Sequence, residues 1–206
     1  MLRTILAACG LVALTVVPVA AKPVVSTKYK YYSISGNSPG DIYLAMIRRG
    51  PDVNGVNAYA STSATSSQSG KLVQGQSCKV DGYSFRIDFT INLPKLRNES
   101  ALSGSTKRDW GTFKSFLKRH EETHRTIWLG CASQLEAQVK RLKAKDCNAI
   151  DKQAAKLWTK MRSTCDRQHK AFDAAEQRRL LSQPFVRLVL GKRGKSVAAL
   201  KIAKKK

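Results

Sequence analysis

Apolar and polar residues alternate without interruption across residues 83–93. This period of two predicts a β-strand with one buried face, which ends at Pro94. A second strand is predicted across 28–35, and a short helix across 38–50 follows it, opened by a Ser-Pro pair and closed by a Gly-Pro pair. The stretch 56–74 is rich in Ser, Thr and Ala, so we expect no more than one or two weak strands there.

From about residue 105 onwards the apolar residues recur at helical spacing instead. They predict one long helix from about 105 to Lys145 and a second from about Ile150 to Leu181. The stripe of the first helix consists of Trp110, Phe113, Leu117, Trp128, Cys131, Leu135, Val139 and Leu142. The turn at 146–148 is short, which implies that the two helices pack antiparallel. We therefore predict an α+β domain in which a small antiparallel sheet packs on a long antiparallel helical hairpin.

The first 21 residues have the composition of a signal peptide. Arg3 precedes an apolar run over 5–19, and small residues follow it before Lys22. The sequence around Cys9 also resembles a lipoprotein box, but most of the apolar run lies after this cysteine, so cleavage before Lys22 is preferred. We therefore expect a protein that is exported to the periplasm or the extracellular space.

Basic residues dominate the chain, with 37 Lys and Arg against 14 Asp and Glu and a formal net charge of +23. Such a charge favours anionic partners, for which a membrane surface or acidic envelope polymers are candidates. No acidic residue occurs after Pro184, and residues 183–206 are interpreted as a flexible basic tail that follows a folded domain at 22–182. The tail lacks interleaved aromatic residues, so nucleic acid is not an expected partner.

In an oxidising compartment, cysteines are expected to form disulfides. Four remain after removal of the signal peptide, and four cysteines allow three pairings. No C-x-x-C spacing is present, so a cysteine zinc site is not expected. In a hairpin that turns near residue 148, Cys131 lies opposite Cys165. This pairing leaves Cys78 for Cys147, and we predict these two disulfides.

The run His120-Glu121-Glu122-Thr123-His124 carries the clearest chemistry in the chain. Histidines at i and i+4 project from one face of a helix, where two imidazoles can bind one metal ion. Both fall in a gap of the apolar stripe, so they face the interior or a cleft. We predict a Zn²⁺ site with His120 and His124 as ligands and Glu121 as the general base on a metal-bound water, while Glu122 and Thr123 lie on the surface.

A catalytic zinc ion needs a third protein ligand besides water. The hairpin register places the two motif histidines opposite Phe172 and Glu176. Glu176 lies on the apolar stripe of the second helix and is the preferred third ligand. Asp173 flanks that stripe and could coordinate the metal or hold a histidine in place. His169 ranks third among the candidates, because it lies one to two turns from the best position.

Several features surround the motif in a characteristic order. They are Tyr31-Tyr32-Ser33-Ile34-Ser35-Gly36 before a short helix, Gly50-Pro51, Cys78 before the alternating strand, Leu93-Pro94 at its exit, Trp110 ahead of the motif, Cys147 after the first long helix, and Phe172-Asp173. This arrangement, over about residues 27–180, resembles the bacterial predicted secreted zinc-dependent proteases, a family built on a domain of unknown function. The resemblance implies His120 and His124 as metal ligands, Glu121 as base, and peptide hydrolysis.

One position departs from that family. Its second helix usually carries an aromatic-Asp pair followed, five residues after the Asp, by a His-Gly pair, and here those two positions are Arg178 and Arg179. Arginine stays protonated and cannot coordinate a metal. If the family's third ligand is that histidine, then Glu176 or Asp173 replaces it here, or the site binds metal weakly, or the protein no longer cleaves a substrate.

Two functions of different classes are compatible with the sequence. The first is an exported zinc metallopeptidase that acts on a peptide or protein substrate, and the H-E-x-x-H motif favours it. The second is a non-catalytic envelope protein with a degenerate or structural metal site, which binds anionic polymers or lipid through its basic surface and the tail at 184–206.

Overall fold

The architecture is described by a computed structural model that covers residues 23–191 of the 206-residue chain. The predicted signal peptide, the lipoprotein alternative at Cys9 and residues 192–206 lie outside the described residues. In chain order the elements are β1 (Val24–Ile34), α1 (Pro39–Arg49), β2 (Asp52–Val53), β3 (Val56–Asn57), β4 (Ser61–Gln74), β5 (Cys78–Leu96), a 3₁₀ turn (Glu99–Ala101), α2 (Gly104–Lys140), β6 (Lys143–Ala144), α3 (Cys147–Ser182) and α4 (Pro184–Leu190). The main sheet packs against the helices, as the α+β prediction requires, and β2 and β3 form a separate antiparallel hairpin.

The sheet has the order β1-β5-β4, and the short β6 also pairs with β5. β4 and β5 are antiparallel neighbours, and every second residue of β5 from Tyr83 to Leu93 is buried, as the alternation predicted. β1 runs parallel to β5, however, with Val24 opposite Arg86, so the prediction of a purely antiparallel sheet was wrong. A parallel pair needs a long crossover connection, and α1 together with β2, β3 and β4 supplies one here.

Two strand boundaries differ from the prediction. β1 begins at Val24, and β5 continues through Pro94 to Leu96. β4 begins opposite Asn92, so the last residues of β5 pair only with β1, and a proline is tolerated where a strand has a free edge. The Ser- and Thr-rich stretch forms one long strand, β4, although it carries no periodic signal.

Two of the helices, α1 and α3, begin where a side chain satisfies free backbone N–H groups. At the start of α1, the Ser38 hydroxyl accepts a hydrogen bond from the Asp41 N–H, and the Asp41 carboxylate accepts one from the Ser38 N–H, both at 3.2 Å. At the start of α3, the Asp146 carboxylate accepts from the Ala149 N–H at 2.9 Å. α2 ends at Lys140, short of the predicted end, because the following residues pair with β5.

Two disulfides tie these layers together, and both predicted pairings are confirmed. Cys131 on α2 is bonded to Cys165 on α3, inside the helical hairpin. Cys78 at the start of β5 is bonded to Cys147 at the start of α3, which fixes the sheet to the hairpin turn. Cross-links of this kind are typical of proteins from oxidising compartments.

The core consists of two hydrophobic clusters along β5. One lies beside the first half of α2 and contains Trp110 and Phe113, and the other lies beside its second half and contains Cys131 and Leu135. The motif residues 120–124 lie between the two clusters on the same helix. No helix within residues 23–191 is both long and apolar enough to cross a membrane.

The segment after Pro184 corrects the prediction of a tail that is flexible from residue 183. Residues 184–190 form the helix α4, whose Phe185 is fully buried against Trp110 and Phe113, with ring centroids 5.2 and 5.3 Å apart. Arg187 is the one basic residue of this segment, and most of the Lys and Arg residues of the predicted tail follow Gly191 in the sequence. The apolar residues of 184–190 complete the first cluster. The folded domain therefore extends to at least Leu190.

Candidate metal centre

Two facing helices bring together the side chains of the site. α2 presents His120, Glu121 and His124, which its helical spacing places on the side that faces α3 and β4. α3 runs antiparallel to α2 and presents His169 and Asp173 to the same histidines. The Cys131–Cys165 disulfide joins the two helices further along the hairpin and fixes their register.

Three ligand atoms converge at the centre of the site. Oδ1 of Asp173 lies 2.9 Å from Nε2 of His124 and 3.3 Å from Nε2 of His120, and the two Nε2 atoms are 3.1 Å apart. A tetrahedral zinc ion with bonds of about 2.0 Å separates its ligand atoms by about 3.3 Å. The residues present therefore fit three corners of such a site, two nitrogens and one carboxylate oxygen.

The Asp173 carboxylate and the His120 imidazole shift each other's pKa. Burial alone would raise the pKa of Asp173, but the hydrogen bonds from His120 and His124 outweigh it and hold this pKa well below its usual range. Burial alone would lower the pKa of His120, but the hydrogen bond to Asp173 and the nearby Glu121 carboxylate outweigh burial and raise it. A cation is therefore favoured at this position.

Glu121 is almost fully buried and is held by one residue of the sheet. Only 4 % of it is exposed, and burial raises its pKa above the usual value for a carboxyl group. The Thr62 hydroxyl lies 2.8 Å from Oε2 of Glu121 and 2.9 Å from its backbone oxygen. This contact fixes the carboxyl group and partly opposes the rise of its pKa.

Thr62 is a site residue that the sequence did not indicate. It stands in the Ser- and Thr-rich stretch that forms β4, where no period distinguishes one hydroxyl from the next. Its position beside the motif follows only from the pairing of β4 with β5, in which Thr62 lies opposite Ile91.

His169 lies behind His124 rather than in the group of three ligand atoms. Its Nδ1 is 2.8 Å from Nδ1 of His124, the ring nitrogen that points away from Asp173. Its ring also lies against Trp128, with centroids 5.4 Å apart, and burial lowers its pKa. His169 thus contacts a candidate ligand from the far side.

Phe172 packs directly on both motif histidines. Its ring is stacked on His120, with centroids 4.8 Å apart, and meets His124 edge-on at 5.1 Å. These contacts restrict the rotation of both imidazoles, so that the Nε2 atoms keep their common direction.

Glu176, which the sequence predicted as the preferred third ligand, lies outside the cluster of candidate ligand atoms. Its Oε1 instead accepts a hydrogen bond from Nη1 of Arg179 at 2.8 Å. The group that the structure brings together is His120, His124 and Asp173, with all ligand atoms within 4.8 Å of one another. Arg178 is exposed.

A groove of about 1480 Å³ opens over these residues. One wall comes from residues 53–62, which include the β2–β3 hairpin and the start of β4, and the other comes from α2 and α3. Apolar side chains line much of it, including Tyr59, Leu117 and Leu180, while His120, Glu121, His124 and Asp173 form a polar centre. An apolar cleft with a few converging polar groups is the usual form of a ligand site.

Comparison with known proteins identifies a family but no individual relative. Residues 29–179 match a family described as "Bacterial protein of unknown function (DUF922)", and this match covers well over half of the chain. No curated protein and no solved structure matches the sequence.

Proposed function

The chain belongs to the DUF922 family of bacterial proteins, whose function is unknown, and from its site we propose that it is an exported zinc-dependent metallopeptidase. The observation that carries this proposal is the convergence of Nε2 of His120, Nε2 of His124 and Oδ1 of Asp173 at distances of 2.9 to 3.3 Å. Two imidazoles and one carboxylate are a common ligand set of catalytic zinc, which keeps a fourth position for water or substrate.

Asp173 takes the role of third ligand in this proposal. The secreted proteases that the chain resembles usually have a histidine at the position of Arg178. Without that histidine, Asp173 can still complete a set of three ligands. Its side chain is 54 % exposed, so the set opens toward the groove rather than closing on all sides. An open site of this kind suits catalysis better than a purely structural role.

Glu121 acts as the general base. A zinc ion held by the three ligands would supply Lewis-acid polarisation of water and of a peptide carbonyl. Glu121 accepts the proton of the attacking water and passes it to the leaving amine, a role for which a carboxyl group with a raised pKa is suited. Thr62 holds the Glu121 carboxyl group in one orientation during both transfers.

The groove accommodates an extended peptide. β4 is an edge strand, since within the described sheet it pairs only with β5, and its first residues line the groove beside Glu121. A peptide in extended conformation can add to such an edge through main-chain hydrogen bonds. The apolar wall formed by Tyr59 and Leu117 then contacts the substrate side chains.

Export is part of the same proposal. The two disulfides favour the periplasm or the extracellular space, and the signal-peptide composition of residues 1–21 agrees with that location.

Two adjacent glutamates provide the test. Zinc-loaded protein is incubated with a mixed peptide library, and new termini are identified by mass spectrometry. Glu121→Gln should reduce cleavage by about 100-fold or more, while the matched control Glu122→Gln should leave it unchanged. Equal cleavage by wild type and Glu121→Gln, or no cleavage by the zinc-loaded wild type, would refute the peptidase assignment.

A second candidate function rests on the net charge of +23. A non-catalytic envelope protein would use this charge to hold anionic lipid or acidic polymers. Retention on anionic vesicles at low salt in wild type, lost in a chain that ends at Gly191, would support this candidate; equal retention by both chains would exclude the last 15 residues as the anchor.

A further inference from the structure

His124 has a contact that His120 lacks. Nδ1 of His124 lies 2.8 Å from Nδ1 of His169, whereas Nδ1 of His120 is buried without a hydrogen-bond partner within residues 23–191. Phe172 and Asp173 contact both motif histidines, and His124 has the contact with His169 in addition.

A distance of 2.8 Å between two ring nitrogens requires that one carries the proton and the other accepts it. If Nε2 of His124 donates its lone pair to a metal ion, the proton of this imidazole must lie on Nδ1. It then points at Nδ1 of His169, which has to be the acceptor. Metal-bound histidines commonly donate their second N–H to such a partner, which fixes their tautomer and orientation.

We propose that His169 is a positioning residue of the metal site, which accepts the Nδ1 proton of His124 and so holds Nε2 of His124 ready to coordinate the metal. This inference rests on the metal site of the proposed function, but it does not depend on peptide cleavage. The residue reaches the site from α3, one turn before Asp173, so one helix supplies both the third ligand and the partner of the second ligand.

The position of His169 also excludes it as a ligand of the same ion. Its Nδ1 contacts the nitrogen of His124 that faces away from Asp173, so the His124 ring lies between His169 and the three converging atoms. Its other nitrogen, Nε2, is buried and has no hydrogen-bond partner among the described residues. In the proposed state this nitrogen carries the remaining proton of His169.

Two substitutions of His169 distinguish the effect of its hydrogen-bond acceptor from the effect of its aromatic ring. His169→Phe keeps an aromatic ring against Trp128 but removes the acceptor, whereas His169→Asn places an amide oxygen close to the position of Nδ1. Zinc affinity, measured by competition with a chelator, should fall about 10- to 100-fold in His169→Phe and largely recover in His169→Asn. Lys170→Ala, at an exposed neighbouring position, is the control and should bind zinc like wild type.

The chain has only three histidines, so their imidazole nitrogens can be assigned by ¹⁵N NMR. In zinc-loaded wild type the His124 proton should lie on Nδ1 and the His169 proton on Nε2. Unchanged zinc affinity in folded His169→Phe, an equal loss in Phe and Asn variants, or a His124 proton on Nε2 in the loaded protein would each overturn the inference. If wild type binds zinc yet cleaves no peptide, the peptidase assignment fails while these measurements still decide the role of His169.

Discussion

At the scale of single residues, the site depends on a few polar contacts that the motif itself does not contain. Thr62 and Asp173 come from distant parts of the chain, yet each lies within hydrogen-bond distance of a motif residue. In the proposed site the H-E-x-x-H motif would supply two ligands and a base, and these two contacts orient its side chains. Their contributions can be measured one at a time.

Replacing Thr62 by Val should destabilise the metal-free protein in a pH-dependent way. Burial raises the pKa of Glu121 in the folded protein, so its ionisation costs stability as the pH rises above the unfolded pKa, and the Thr62 hydrogen bond reduces this cost. At pH 7 we expect the free energy of unfolding to fall by about 1.5–3 kcal/mol. Below the unfolded pKa of about 4.3, Glu121 is protonated in both states and the difference should shrink.

Denaturant unfolding with a chelator present measures this effect at both pH values. Thr62→Ser keeps the hydroxyl group and serves as the control. A loss of stability that is equal at pH 7 and pH 4, or equally large in Thr62→Ser, would mean that the hydroxyl does not act through the charge of Glu121.

Zinc affinity should weaken in acid because protons compete for the ligands. The pKa of His120 is raised, so its imidazole takes up a second ring proton at a pH above the ordinary histidine pKa of about 6.5. A doubly protonated imidazole has no lone pair for a metal. Below that point the affinity should fall by up to about tenfold per pH unit for each proton displaced. Chelator competition between pH 5.5 and 8 tests this; an affinity that is flat across the range would contradict the use of His120 as a ligand.

At the scale of elements, the hairpin of α2 and α3 was predictable from the sequence. A turn near residue 148 with antiparallel register paired Cys131 with Cys165 and placed His124 opposite Phe172, and both contacts are present. The direction of individual side chains was not predictable in this way. Glu176 lies at the expected place, but Arg179, one turn later on the same helix, binds its carboxylate.

The two disulfides should affect stability alike but the site differently. Removal of either, in Cys131→Ala/Cys165→Ala or in Cys78→Ala/Cys147→Ala, should lower the free energy of unfolding by about 2–4 kcal/mol. Of the two, the Cys131–Cys165 link joins the helices that carry the proposed ligands, so zinc affinity should fall mainly in that variant. Denaturant unfolding and chelator competition on both variants check this. An equal loss of zinc affinity in the two variants would mean that the Cys131–Cys165 disulfide does not hold the register of α2 and α3.

For the whole molecule, the sequence predicted the individual strands and helices better than the way in which they pair and pack. The alternation in β5 and the helical stripes depend on local spacing, and both elements formed as expected. The parallel pairing of β1 with β5 and the burial of α4 depend on contacts between residues far apart in the chain. No local periodicity in the sequence indicates such contacts. The predictions of the strand direction in the sheet and of the end of the domain were therefore wrong.

The role of α4 in the core leads to a further prediction. Phe185→Ala should cost about 3–5 kcal/mol of stability because its ring is fully buried between Trp110 and Phe113. Leu188→Ala, on the same helix with half of its side chain exposed, is the control and should change stability by less than about 0.5 kcal/mol. Thermal or denaturant unfolding decides this, and equal effects of the two substitutions would contradict the packing described for α4.

We infer that His120, His124 and Asp173 together bind one zinc ion. Anomalous diffraction at the zinc absorption edge, from crystals of the mature protein grown with zinc, tests this most directly. We predict a single strong peak bonded to Nε2 of His120, Nε2 of His124 and a carboxylate oxygen of Asp173, at about 2.0–2.2 Å from each. A peak coordinated by Glu176 or His169 in place of Asp173, or no peak at the motif, would contradict this ligand set.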